Sequence, residues 1–468
     1  MKKFFSAVLA ATLTVSAILA TGCNGKTGND DPGTLRVEFL KAGYGTQVYE
    51  ALATEFMAQN TDIKVKLIAN ESINSTTENR LQTNTSISDV YQVSYWGQVR
   101  RWATKGYVMD LTSLYGEEVE NGQTLRDRIA VSGRDAFSLY NKYYAIPHES
   151  SISGLLYNVK MFEENGWKVP KTTKELKDLC DKIAAADIKK SDPKVNNGKE
   201  FTIKPLVYCG STSDGYWPST MNTWWLQYSG AAKLNEFAKF ESPEVYKDEG
   251  RLRALELLNT FANNDKKYCP PNVMSKDHIT AQLDFIQGKA AMLPCGSWFQ
   301  TEMQLYLKEF PDFEYALMPT PVVSDDNGNS QAADEGVKYL FEGSAQCWFV
   351  AAKTKNADAA KKWIKFISSQ KACEIWTANT GAIYAYNYDT ASLAENANSF
   401  TKSLISIWNE CTPYKFVSNH PLAIESKVGM WPQQQSPFVT FKNTATTTEQ
   451  YYEADYNYVN ANWSAWNS

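Results

Sequence analysis

Phe285-Ile-Gln-Gly-Lys-Ala-Ala-Met-Leu-Pro-Cys-Gly-Ser-Trp298 is the stretch from which the fold can be read. Ile279 to Gln287 carries apolar residues at helical spacing, and Gly288 is placed to stop that helix. Ala290 to Leu293 is short, apolar and uninterrupted, the pattern of a strand buried on both faces. Gly296 and Ser297 then form a tight turn that delivers Trp298 to a cleft. A helix, a buried strand and a turn carrying an aromatic ring form a unit of an α/β architecture with a site at the strand's end.

The same alternation appears nearer the N-terminus. Leu35–Leu40 alternates as a strand, Gln47–Gln59 has helical spacing, and Ile63–Ile68 and Ser88–Val93 read as further strands. Short connections between them indicate a mostly parallel sheet. Gly154–Asn158 begins a new strand, followed by helices at about 174–186, 252–261 and 359–368. Residues 189–200 and 324–336 are polar loops. A chain of 468 residues exceeds what one core comfortably fills, so two lobes are expected.

Residues 1–22 have a Lys2-Lys3 start, an apolar run from Phe4 to Leu19 and small residues before Cys23, the plan of a secretory signal peptide. Residues 24–32 read as a polar tether. The full chain has 47 Lys and Arg against 52 Asp and Glu, and loss of Lys2 and Lys3 moves the formal charge from −5 to −7. That balance, without a basic run, argues against nucleic acid as a partner. Eight cysteines lack a CxxC or regular spacing, and three histidines lie far apart, so no metal site, cofactor or disulfide framework is expected. The oxygen-rich Asp325–Asn329 loop reads as solvated. With 14 Trp, 26 Tyr and 21 Phe, the chain has aromatic surface to spare for stacking on sugar rings.

Four ordered segments resemble the family 1 extracellular solute-binding proteins of bacterial ABC sugar importers. They are Asp89-Val90 through Trp96–Gly106 to Asp110–Leu114, Tyr144–Glu149 with Leu155–Asn158, the FxxGKAAM…GSW stretch at 285–298, and Ala359–Ile367 with Thr380–Ile383. Cys23 after small residues is similar to a lipobox cysteine, although Ala20 stands where Leu is usual. The resemblance implies a two-lobed periplasmic-binding-protein-like α/β fold with a hinge. The N-terminal lobe would comprise 33–147 plus 338–388, and the C-terminal lobe 148–337 plus 389–468. It also implies a monomer held to the membrane by a lipid on Cys23, an ABC permease as partner and a carbohydrate ligand.

By position, the ligand-contacting candidates are Tyr44, Tyr95 and Trp96 after the first and third strands, and Glu149 at the crossover. Trp298, Gly343, Ser344 and Trp431 complete the set around the expected cleft. Trp96 and Trp298 read either as cleft rings or as packing, and Glu149 either as a sugar-hydroxyl acceptor or as a paired carboxylate. Trp224 and Trp225 lie in an aromatic cluster; because adjacent residues should not both point inward, one of them is expected to face the ligand. The Pro294-Cys295 variation looks closest to binders of N-acetylglucosamine and chitobiose. A secreted glycoside hydrolase using Glu149 with Glu342 or Asp334-Glu335 is the enzyme alternative, and no catalytic motif surrounds these residues. A surface glycan-binding or sensory protein without an importer is the other.

Overall fold

The computed structural model describes residues 33–211, 216–262, 267–342, 346–432 and 446–466. The signal peptide, Cys23, the tether, Gly343 and Ser344 lie outside the described residues. No helix among the described residues is long and apolar enough to cross a membrane.

The first lobe is built on a five-stranded sheet. Strand Thr34–Leu40 lies parallel to Lys64–Asn70 on one side and to Val90–Val93 on the other. Cys347–Val350 returns antiparallel to Val90–Val93 and is bordered by Ile146–Pro147. Alternate residues feed opposite faces. Val90, Trp348 and Val350 enter one core with helices Gln47–Gln59, Ala357–Ile367 and Gln370–Thr380. Tyr91, Val93, Cys347 and Phe349 enter the other, against helix Trp96–Thr104.

The second lobe has a four-stranded mixed sheet ordered Lys204–Leu206, Ala290–Gly296, Ser153–Asn158 and Tyr315–Met318. Leu155 and Met318 face one core, and Leu156 and Leu317 the other. The helix before the central strand, His278–Ile286, starts on an Asp277 side-chain cap. It ends as the sequence suggests. Gly288 adopts φ +70°, Gly288 N–H donates to the Phe285 carbonyl and Lys289 N–H to that of Asp284. This Schellman closure turns the chain directly into strand Ala290–Gly296, every residue of which is buried.

Two details differ from the sequence reading. Tyr339 and Phe341, in a strand paired with Thr412–Tyr414, pack into the second lobe's core, although the first lobe was expected to resume at 338. Trp224 and Trp225 are both fully buried. Helix Pro218–Ser229 is enclosed on almost every side, with eight consecutive buried residues from Thr220 to Gln227, so adjacent side chains can both point into protein.

Candidate functional site

A cavity of about 520 Å³ opens between the lobes, in the size range of small-ligand sites. Helix Trp96–Thr104 supplies Trp96, Gly97 and Arg100 from the first lobe, with Phe137 beside them. Trp96 and Arg100 stand four residues apart and therefore share a helix face. Across the gap stand Trp298, Tyr216, Asn222 and Phe240, and Phe341 to Glu342 and Lys415 to Ser418 close one end.

Trp298 is held by shape. A side chain on Gly296 would put Cβ 2.3 Å from the Trp298 ring and 2.7 Å from Ser153 Oγ, so the ring lies directly over that glycine. From the other lobe Gly43 approaches so closely that its Cβ would sit 3.1 Å from Trp298 Cβ. Tyr216, at φ +64°, sets its ring edge against the indole at 5.5 Å. The indole thus packs against the first lobe's core and the second's while keeping one face to the cavity. Trp96 stands edge-on to Phe137 at 5.4 Å, and its buried Nε1–H has no acceptor among the described residues.

The polar wall is equally specific. Lys415 Nζ lies 3.5 Å from Glu342 and above the Phe137 ring, both charged groups being buried. Ser132 Oγ donates to the same carboxylate at 2.9 Å. Arg100 Nη1 donates to the Ser418 carbonyl, and burial together with neighbouring Arg101 lowers the guanidinium pKa to about 10. Among the described lining residues, Glu342 is the one carboxylate.

The candidates read from the sequence divide clearly. Trp96 and Trp298 line the cavity together. Tyr44 and Glu149 are buried behind it at the junction of the lobes. The Tyr44 hydroxyl is 2.9 Å from Ser297 Oγ, and burial followed by the nearby Glu149 charge raises its pKa well above the usual tyrosine value. Glu149 accepts from Gln346 Nε2 at 2.6 Å, and Gln346 in turn accepts from Gln92 at 2.7 Å. These groups brace the junction. Trp431 stands one layer out, its indole N–H donating to Asn222 Oδ1 at 3.2 Å, so it positions a cavity residue. Tyr95 is 59% exposed and does not line the cavity.

Trp224 and Trp225 are corrected: they belong to the core, Trp225 donating to Asp248 at 2.6 Å, and neither reaches the cavity. The Pro294-Cys295 pair, which carries the sequence resemblance to N-acetylglucosamine and chitobiose binders, lies in the buried strand Ala290–Gly296. Cys295 packs in the core and sits 3.9 Å from Gln282, away from the cavity lining. Of the enzyme candidates, Asp334 caps helix Ala231–Phe237 through Ala231 N–H at 3.0 Å and also accepts from the Tyr339 hydroxyl. Sequence reasoning missed Arg100, Phe137, Asn222, Lys415 and Phe416 as cavity residues. The helical spacing from Trp96 to Arg100 was a usable signal; Lys415 and Phe416 arrive through long-range packing that no local pattern marks.

Residues 42–372 match the model of the bacterial extracellular solute-binding protein family. The chain is 22% identical to a multiple sugar-binding protein of Streptococcus mutans over 80% of its length and 81% of that protein. It is 21% identical to a diacetylchitobiose binding protein of Streptomyces coelicolor, over 68% and 63% of the two chains. In fold it is similar to RafE of Streptococcus pneumoniae, solved in its apo form, with TM-score 0.65 at 16% identity over 93% and 99%. A chitin oligosaccharide binding protein superposes with TM-score 0.63 at 18% identity over 92% and 99%. With the family model covering most of its length and the two-lobed frame shared with these structures, the chain belongs to the bacterial extracellular solute-binding protein family.

Proposed function

We propose that the protein captures a carbohydrate in the cavity between its lobes and hands it to an ABC importer without altering it covalently. The observation that carries this reading is the pairing of two cavity indoles, Trp96 and Trp298, with a polar wall of Asn222, Glu342 and Lys415. Sugar rings present apolar C–H faces to aromatic rings and hydroxyls to their rims, and this wall offers both. Relatives named as multiple sugar-, maltotriose- and diacetylchitobiose-binding proteins support the same ligand class. Binding rather than hydrolysis is supported by the carboxylate content of the wall. Glycoside cleavage needs two facing carboxylates, whereas Glu342 is paired with Lys415 and Glu149 with Gln346.

In this reading, Trp96 works from the first lobe and Trp298 from the second. Ligand then bridges the lobes and favours the closed arrangement through contacts absent when they part. Cys23 carries the lipid that keeps the carrier near its permease, which raises their effective concentration. N-acetylglucosamine oligomers stay in the ligand panel because of the diacetylchitobiose-binding relative. The test is a thermal-shift screen of the protein against neutral and acidic mono- and oligosaccharides. Stabilisation by at least one saccharide is expected; a flat response to the whole panel would sink the reading. Mass spectrometry of the mature N-terminus is expected to find a diacylglyceryl-modified Cys23, and an unmodified cut elsewhere would remove the anchor.

A further inference from the structure

Among the described residues, the buried cations Arg128, Arg251, Lys276 and Lys415 are each paired with a carboxylate, and Arg100 is not. Arg251 meets Asp455, Lys276 lies 2.6 Å from Asp284, Arg128 is 3.3 Å from Glu120 and Lys415 is 3.5 Å from Glu342. Arg100 is 9% exposed and, among the described residues, has no carboxylate within ion-pair distance. Its Nη1 is satisfied by the Ser418 carbonyl, and its buried Nε has no acceptor among the described residues. A guanidinium removed from water without a counter-charge is costly unless something supplies that charge.

Three further features of the same helix point the same way. Trp96, 5% exposed and on the same face as Arg100, carries a buried indole N–H without an acceptor among the described residues. Among the described residues no side chain caps the N-terminus of helix Trp96–Thr104, and its first turn holds no acidic residue. The positive end of its backbone dipole is therefore uncompensated by side chains. Gly97 lines the cavity beside them, and the space its Cβ would occupy is open for at least 4 Å. One cavity wall thus offers N–H donors and positive charge. Among the described lining residues, the other charged groups are Lys415 and Glu342, which neutralise each other.

We infer that the cavity takes a saccharide bearing an anionic group, a carboxylate or a sulfate ester, seated against Arg100 and the start of helix Trp96–Thr104. This rests on the carbohydrate reading above and narrows it to acidic sugars. The guanidinium supplies the fork that a carboxylate or sulfate accepts, and the Trp96 indole N–H is the neighbouring donor. An added carboxylate or sulfate also restores the charge balance that Arg100 lacks in the protein alone.

The experiment is calorimetry on the full protein with matched pairs: digalacturonate against galactobiose, and N-acetylglucosamine 6-sulfate against N-acetylglucosamine. At least one acidic member is expected to bind tenfold or more tightly than its neutral partner, and the pair that does so tells carboxylate from sulfate. Arg100→Gln is expected to bring that ratio within about twofold. Neutral members binding as tightly as acidic ones in both pairs would overturn the charge assignment while leaving the carbohydrate reading standing. A preference that survives in Arg100→Gln would overturn the role of Arg100. If that variant fails to fold, the wild-type ratio decides the question by itself. Absence of binding by any saccharide would overturn both readings together.

Discussion

Trp298 gains its place from residues that contribute almost nothing but space. Gly296 under the ring and Gly43 behind its Cβ leave one orientation open, with a face toward the cavity. Trp298→Ala is expected to weaken saccharide binding by at least ~1 kcal/mol, the scale of a lost aromatic contact, as read by titration calorimetry. Unchanged affinity would make the ring a structural prop. Gly296→Ala, which forces the ring aside, is expected to weaken binding as well and to cost ~1–3 kcal/mol of stability in chemical denaturation. His148 directly follows the edge strand Ile146–Pro147 of the first lobe's sheet. It is enclosed by Tyr49, Trp348, Trp376 and Tyr384, its Nε2 lies 3.1 Å from the Tyr49 hydroxyl, and burial lowers its pKa to about 3. The folded form holds it neutral while the unfolded chain protonates it near 6.5, so stability is full above that value and falls as pH drops toward 3. The slope it contributes reaches about 1.4 kcal/mol per pH unit. His148→Gln should flatten the acid limb of a melting-temperature profile; identical limbs would refute this.

At the scale of elements, sequence pattern was a good guide wherever burial is one-sided or local chemistry is explicit. The Gly288 stop is written in the chain, and the helix before it lies within one residue of where periodicity puts it. Helix Pro218–Ser229 defeats such reading, because a helix buried all round has no polar face to fix which residues turn inward. Helix Glu249–Ala262 packs along it and is in turn held by the C-terminal helix Thr448–Trp466. Asp455 on that helix pairs with Arg251 on Glu249–Ala262, with both side chains fully buried and the guanidinium 4.5 Å from the Trp431 ring centre. Breaking a buried pair strands a charge, so Asp455→Ala should lower unfolding free energy by roughly 3–5 kcal/mol. Because Trp431 in turn holds Asn222 at the cavity, ligand affinity is expected to fall with it. Wild-type stability in a denaturant titration of the variant would show that the helix docks by apolar packing alone.

Across the whole molecule, the two-lobed frame was legible because sheet and helix periods alternate regularly and the 285–298 stretch has a specific order. The cavity was half legible. Trp96 and Trp298 sit at strand and helix ends, where open α/β sheets gather ligands, and their positions follow from topology. Lys415, Phe416 and Phe137 reach the same space from segments nearly 280 residues apart, and their meeting depends on how the lobes pack. Trp224 and Trp225 show the converse, since aromatic density in sequence marked a core. The account depends most on the cavity between the lobes being the saccharide site. Titration calorimetry of the wild-type protein and of a Trp96→Ala/Trp298→Ala double variant, with a saccharide that stabilises the wild type, tests this directly. One saccharide per wild-type chain is predicted, with at least tenfold weaker binding by a double variant that still melts cooperatively; equal affinity in the two proteins would contradict it.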